Sequence, residues 1–212
     1  MKTSVRYKEL KVRLNELRKY MLPNIFSDIG DYNERLQDRA RGYRLLAHAE
    51  IESFLEDISR DAVTNATDKW LQDKKPSVTL ISLLACYHSG WSVSDETRNN
   101  DIMQMAKSRN KVKQSTIEIV EKAKKQFINK VKDNNGVKES NLKTLFIPTG
   151  IDIEDLDQTW ITNLDTFGKN RGSIAHTSKK KTSTPINPKD EFETITKLLA
   201  GLEGLDKIVL KI

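Results

Sequence analysis

The stretch Arg41-Gly-Tyr-Arg-Leu-Leu-Ala-His-Ala-Glu-Ile-Glu-Ser-Phe-Leu-Glu-Asp-Ile58 decides the fold. Its apolar residues do not alternate; they return every three or four positions. Tyr43, Ala47, Ile51, Phe54, Leu55 and Ile58 therefore gather on one side of a helical wheel, as in an amphipathic helix. The same pattern continues through Ala62 and predicts one long helix from about Glu34 to about Trp70. At ~100° per residue, Arg44 and His48 fall near the apolar side, which predicts interior or interface polar groups.

Working outward, the rest of the chain reads as helical too. Leu10, Leu14, Leu17 and Met21 form a stripe that Pro23 ends. Beyond the long helix, Lys74, Lys75 and Pro76 punctuate, and Ser77 is placed to cap a short apolar helix through Tyr87, with a strand as the alternative. Ser94, Asp95 and Glu96 predict the start of a further helix that breaks once before Asp133. Gly136 is expected as a left-handed cap, and Ser140 as the start of a short helix carrying Leu142, Leu145 and Phe146. Asp152 is the expected N-cap of a helix with Leu156, Trp160, Leu164 and Phe167 on one stripe, stopped by Gly168. The stretch from Lys169 to Lys189 reads as a loop, mobile in its second half, because it holds two prolines and many small polar residues. A last helix places Ile195, Leu198, Leu202, Leu205, Val209 and Ile212 at alternating three and four spacing. The predicted fold class is all-α.

Composition narrows the function. The 212 residues carry 36 Lys and Arg against 30 Asp and Glu, a net charge of +6, and a mean hydropathy of -0.60. No apolar run is long enough to span a bilayer, and the N-terminus does not resemble a signal peptide, so a cytoplasmic location without membrane attachment is expected. The one cysteine, Cys86, excludes an internal disulfide and reads as a small core residue. Between Lys107 and Lys143 eleven basic residues face four acids, and Lys169, Arg171, Lys179, Lys180, Lys181 and Lys189 follow with no acid before Asp190. Such pieces attract a polyanion such as RNA, although a merely solvated lysine face gives the same composition.

The chemistry on offer is limited. The three histidines are far apart, and no HExxH or CxxC pair exists, so neither a metal nor any other cofactor is expected. Phosphate-binding glycine loops are absent as well. What remains is Arg171-Gly-Ser-Ile-Ala-His176. A histidine can take the proton of a ribose 2'-hydroxyl or give one to the leaving oxygen, and a guanidinium can hold the phosphate as its charge grows. Arg41 and His48 have a similar spacing but lie inside the long helix, where a core histidine is expected.

Two blocks carry a family resemblance. The segment TLFIPTGIDIEDLDQTWITNLDTFGKNRGSIAHTS is similar to the C-terminal half of HEPN domains, whose signature is an arginine, four to six residues, then a histidine. RGYRLLAHAEIESFLEDI resembles the first core helix of the RiboL-PSP-HEPN branch, in which a glutamate precedes an aromatic residue by two positions, as Glu52 precedes Phe54. The resemblance spans roughly residues 35 to 205. It implies a HEPN-like bundle of long antiparallel helices over 31–212, with an additional N-terminal helix and connector over 1–30 and a candidate helical insert at 77–133. It also implies a homodimer that brings two Arg-His motifs into one composite cleft. The implied activity is metal-independent endoribonuclease action, in a toxin, antiphage or RNA-processing setting, with an antitoxin or sensor as candidate regulator. By that match Arg171 and His176 are the catalytic pair. Asn170, Thr177, Ser178 and Glu52 are candidate supporting residues, and Lys169, Lys179, Lys180 and Lys181 candidate contacts to the RNA backbone. Gly172 stands where many active members carry a polar residue. That departure keeps open a non-catalytic HEPN module that binds RNA or a partner protein, and beyond it a helical assembly subunit of a defence system.

Overall fold

The computed structural model describes residues 2–87, 112–176 and 185–212, with backbone only for 112–115 and 172–176. Within them every regular element is helical. Helix α1 (Val5–Met21) starts at Ser4, whose Oγ accepts from the Tyr7 N–H at 2.9 Å, and buries Tyr7, Leu10, Leu14 and Leu17. Helix α2 (Glu34–Asp73) is capped by Asn33, which accepts from the Leu36 N–H. Its 40 residues make it about 60 Å long. It stops where Lys74 takes a left-handed conformation at φ 59°. Helix α3 (Val78–Tyr87) follows, with Ser77 Oγ accepting from the Leu80 N–H at 3.2 Å, so the strand alternative is not realised. Helices α4 (Val112–Lys132) and α5 (Glu139–Phe146), two 3₁₀ turns at Ile147–Thr149 and Ile153–Asp155, α6 (Gln158–His176) and α7 (Pro188–Val209) complete the order. The helix start expected at Ser94 lies outside the described residues.

Helix α2 is the hub against which every other helix packs, and one apolar cluster runs from Tyr7 on α1 to Leu205 on α7. A few contacts fix the helix directions. Trp160 Nε1 donates to the Leu198 carbonyl at 3.0 Å, and a Cβ on Gly201 would sit 2.2 Å from the same indole. Further along, Asn163 to Asn170 share a cleft with Thr194 and Lys197, so α6 and α7 are antiparallel. Arg44 pairs with Glu191, while Ile58 and Asp61 share a cleft with Asp206 and Val209, so α2 and α7 are parallel. It follows that α6 runs antiparallel to α2. The N-terminus is tied in as well: Asp206 accepts from the Ser4 N–H at 2.8 Å and from its hydroxyl at 2.5 Å.

Several local expectations are corrected. Gly168 does not end α6. Its missing Cβ lets the helix pass close to the Val137–Lys138 segment, where a Cβ would meet Lys138 Cγ at 3.1 Å. The helix therefore absorbs Lys169 to His176, read from sequence as loop. Asp152 caps only the 3₁₀ turn, accepting from the Glu154 N–H, and Asp157 accepts from the Thr159 and Trp160 N–H groups at the start of α6. Gly136 is not left-handed; its carbonyl is held by the Asn134 side chain, and Asn141 caps α5 by accepting from the Lys138 N–H. Cys86 is exposed, because it faces away from the α2 side of its short helix. At the C-terminus the buried stripe ends at Leu205: Val209 is half-buried and Ile212 is 41% exposed.

Candidate active site

On α6 the buried residues Trp160, Leu164 and Phe167 recur at four and three positions, and Arg171 is the next member of that row. It is half-buried, at the place where the core stripe runs out. His176 is the last residue of the same helix. Five residues of regular helix put its Cα ~7.5 Å farther along the axis and ~140° around it from Arg171. One α6 therefore offers the two positions on different faces. His176 falls in the row of Asp165 and Lys169. Lys169 is exposed and pairs with Asp165 at 2.5 Å, which holds that carboxyl below its usual range together with the Glu139 N–H. Thr177, Ser178, Lys179, Lys180 and Lys181 lie outside the described residues.

Asn170 lines a cleft of about 160 Å³ between α2, α6 and α7, together with Asn163, Thr166, Lys197 and Arg44. Arg44 is not free there. Its guanidinium makes two bonds to the Glu191 carboxylate, one of 2.6 Å from Nε and a shorter one from Nη2. Glu191 is almost fully enclosed; burial pushes its carboxyl up from the ordinary range, against the opposing pull of Arg44.

Glu52, a candidate supporting residue of the pair by sequence, lies beside another group. Glu52 Oε2 lies 3.4 Å from Nδ1 of His48, a buried ring tilted against Phe167 with the centroids 5.6 Å apart. Because α2 and α6 are antiparallel, Glu52 is one turn from that contact in one direction and Arg171 one turn in the other, ~12 Å apart along the axes. His48 itself is shut in, with no hydrogen bond at Nδ1, and Arg41 is engaged by Asp38 at 2.8 Å. That second Arg-His spacing cannot meet a solvated phosphate.

On α4 the side chains of Lys122, Lys125 and Lys132 recur at three and seven positions and are exposed, as is Lys130. By contrast Lys124, Lys143 and Lys207 each pair with an acid. Among the described residues no group of His, Cys, Asp or Glu could hold a metal ion, and no helix is long and apolar enough to cross a membrane.

The RiboL-PSP-HEPN family model matches residues 8–211, nearly the whole chain, and takes in the seven helices of the described residues. The chain belongs to the RiboL-PSP-HEPN family. No curated protein and no solved structure matches it. The family match takes in α1 from Lys8 onward, and α1 shares its core with α2 through Leu10, Leu14 and Leu17. Within the matched residues, Arg171 and His176 lie in the C-terminal part of α6.

Proposed function

We propose that this HEPN domain is a metal-independent endoribonuclease, acting as a homodimer in toxin or antiphage defence, with Arg171 and His176 as its catalytic pair. The observation that carries the reading is the position of the motif: Arg171 continues the buried row of α6 and is itself only half-buried. There a guanidinium is braced by the helix yet reachable by a phosphate, the arrangement that phosphate binding at a developing charge requires. His176 serves as general acid or base on the 2'-hydroxyl or the 5'-oxygen. Since the two positions leave one helix ~140° apart, an isologous dimer is the simple way to bring an Arg171 and a His176 to one phosphodiester. Lys169 and Lys179 to Lys181, with the unpaired lysines of α4, supply contacts to the RNA backbone that carry no sequence preference. Asn170, Thr177 and Ser178 flank the pair as candidate third contacts, and an antitoxin or sensor protein is the regulator such an effector needs.

The test is incubation of the purified chain with single-stranded RNA and with tRNA in EDTA, with the 5' and 3' ends of the products analysed. Cleavage leaving 2',3'-cyclic phosphate ends, lost in Arg171→Ala and in His176→Ala with the fold intact, is the expected result. Retention of full cleavage by His176→Ala refutes the assignment. A wild-type chain that binds RNA without cutting it selects the non-catalytic HEPN module, the reading that Gly172 favours.

A further inference from the structure

The cleft that Asn170 lines opens between α6 and α7 beside Arg171, with Arg44 of α2 on its third side. Counted round α6 from Arg171 at ~100° per residue, Phe167, Asn163 and Asn170 lie ~40–100° to one side and His176 ~140° to the other. The cleft therefore borders Arg171 on the flank away from the histidine of the same copy. It reaches from the level of Arg171 to Asn163, ~12 Å back along the axis. Three of its polar groups are engaged: Arg44 with Glu191, the Thr194 hydroxyl, which donates to the Asp190 carbonyl at 2.7 Å, and Asn170. Three are not. The side chains of Asn163 and Thr166 on α6 and of Lys197 on α7 are exposed and make no hydrogen bond or ion pair with a described residue. No acid lines the cleft, so among the described residues Lys197 is its one uncompensated charge.

Size decides what class of ligand such a hollow takes. At about 160 Å³ it is below the ~300 Å³ at which independent small-molecule sites begin, so it suits one unit of a polymer held along a longer track. A cation beside a phosphate-binding arginine asks for a further phosphate. An amide and a hydroxyl in the same hollow offer donors and acceptors to the edge of a base, which only an unpaired strand can turn outward. We propose that the α6–α7 cleft receives the nucleotide next to the scissile phosphate of single-stranded RNA, with Lys197 on its phosphate and the Asn163 amide on the edge of its base. Lys197 then adds affinity without selectivity, and Asn163 sets a base preference. The assignment rests on Arg171 as the scissile-phosphate ligand, and it adds a specificity-determining residue to that reading.

Binding is measured in the full chain carrying His176→Ala, so that the RNA stays whole. Fluorescence anisotropy reads labelled homo-oligomers of A, C, G and U in lithium salt, which leaves the G oligomer unassociated. The tightest of the four is expected to bind at least about fivefold better than the weakest, the low end of discrimination by one amide. Asn163→Ala in that background brings the four within about twofold of one another. Lys197→Ala weakens all four alike, by about threefold or more, and lowers the slope of log affinity against log salt by about 0.7. Both positions are exposed, so both variants keep the fold, which circular dichroism checks. Binding by Lys197→Ala as tight as by the parent, or an order of the four unchanged in Asn163→Ala, overturns the proposal, and so does a parent that binds none of them. The nuclease reading fails separately, by absence of cleavage in the wild-type chain, whereas the cleft fails here with cleavage retained.

Discussion

Removing the guanidinium of Arg44 tests how α2 and α7 are held together beside the motif helix. Arg44 and Glu191, 147 residues apart, meet in the interior with side-chain exposures of 18% and 4%. Arg44→Met keeps much of the aliphatic stem and leaves a carboxylate enclosed with no cation. Breaking one partner of such a pair destabilises by about 3–5 kcal/mol, because the remaining charge keeps its desolvation penalty. At about 2–4 °C per kcal/mol for a chain of this size, the midpoint should fall by roughly 6–20 °C. The pH dependence supplies a second signature. Glu191 is already raised above its unfolded value by burial, and loss of Arg44 raises it further. A raised carboxyl binds its proton more tightly when folded, so its stabilising effect is full below the unfolded value of about 4.5 and is lost as pH rises through the folded one. Arg44→Met should therefore recover part of its loss between pH 7 and pH 5, relative to wild type. Arg44→Met with Glu191→Leu, which removes both charges, should return to within about 1 kcal/mol of wild type. Thermal and urea unfolding followed by circular dichroism read all three. A loss under about 1 kcal/mol in the single variant, or a double variant no better than the single, refutes the reasoning.

Three further outcomes follow from the packing. Gly201→Ala gains about 1 kcal/mol of helix propensity, but its Cβ collides with the Trp160 indole and threatens the bond to Leu198, so a net loss of about 2 kcal/mol is expected in urea melts. Tyr7, pushed up to about 12 by burial and by Glu203, holds its proton in the folded chain above the unfolded value of 10; the stability this gives is complete below pH 10 and lost as pH rises through about 12, which alkaline melts of wild type against Tyr7→Phe should show. His48→Met fills a similar volume where Nδ1 has no hydrogen bond, and should leave RNA cleavage unchanged; loss of cleavage with the fold intact would move the chemistry to the α2 histidine.

The architecture was legible wherever a periodic apolar row is long. The rows of α1 and α2, and that of α7 as far as Leu205, appear in the sequence as they are packed, and the helical wheel placed Arg44 and His48 on the inner side of α2, where His48 is buried and Arg44 half-buried. Local punctuation was less dependable. Gly168 looks like a stop signal from its neighbours alone, and only the approach of Val137 and Lys138 shows that the helix uses a glycine for room. Asp152 and Asp157 are equally good caps by residue type, and the 3₁₀ turn between them decides which starts the long helix. In the candidate site, the spacing of Arg171 and His176 is plain in the sequence, but their angular separation depends on α6 continuing through Gly168. Glu52 reads as a supporting residue in the sequence, but the antiparallel course of α2 and α6 sets it about two turns from Arg171 and beside His48.

Mixing two inactive variants tests the composite-site account most directly. Arg171→Ala and His176→Ala are each purified and found unable to cleave RNA in EDTA, then combined and allowed to exchange subunits. If each phosphodiester is served by an arginine and a histidine from different copies, the mixed dimer has one intact site, and cleavage should return to about a quarter of the wild-type rate at equal mixing. No recovery, with heterodimers shown to form, contradicts a site shared between two copies.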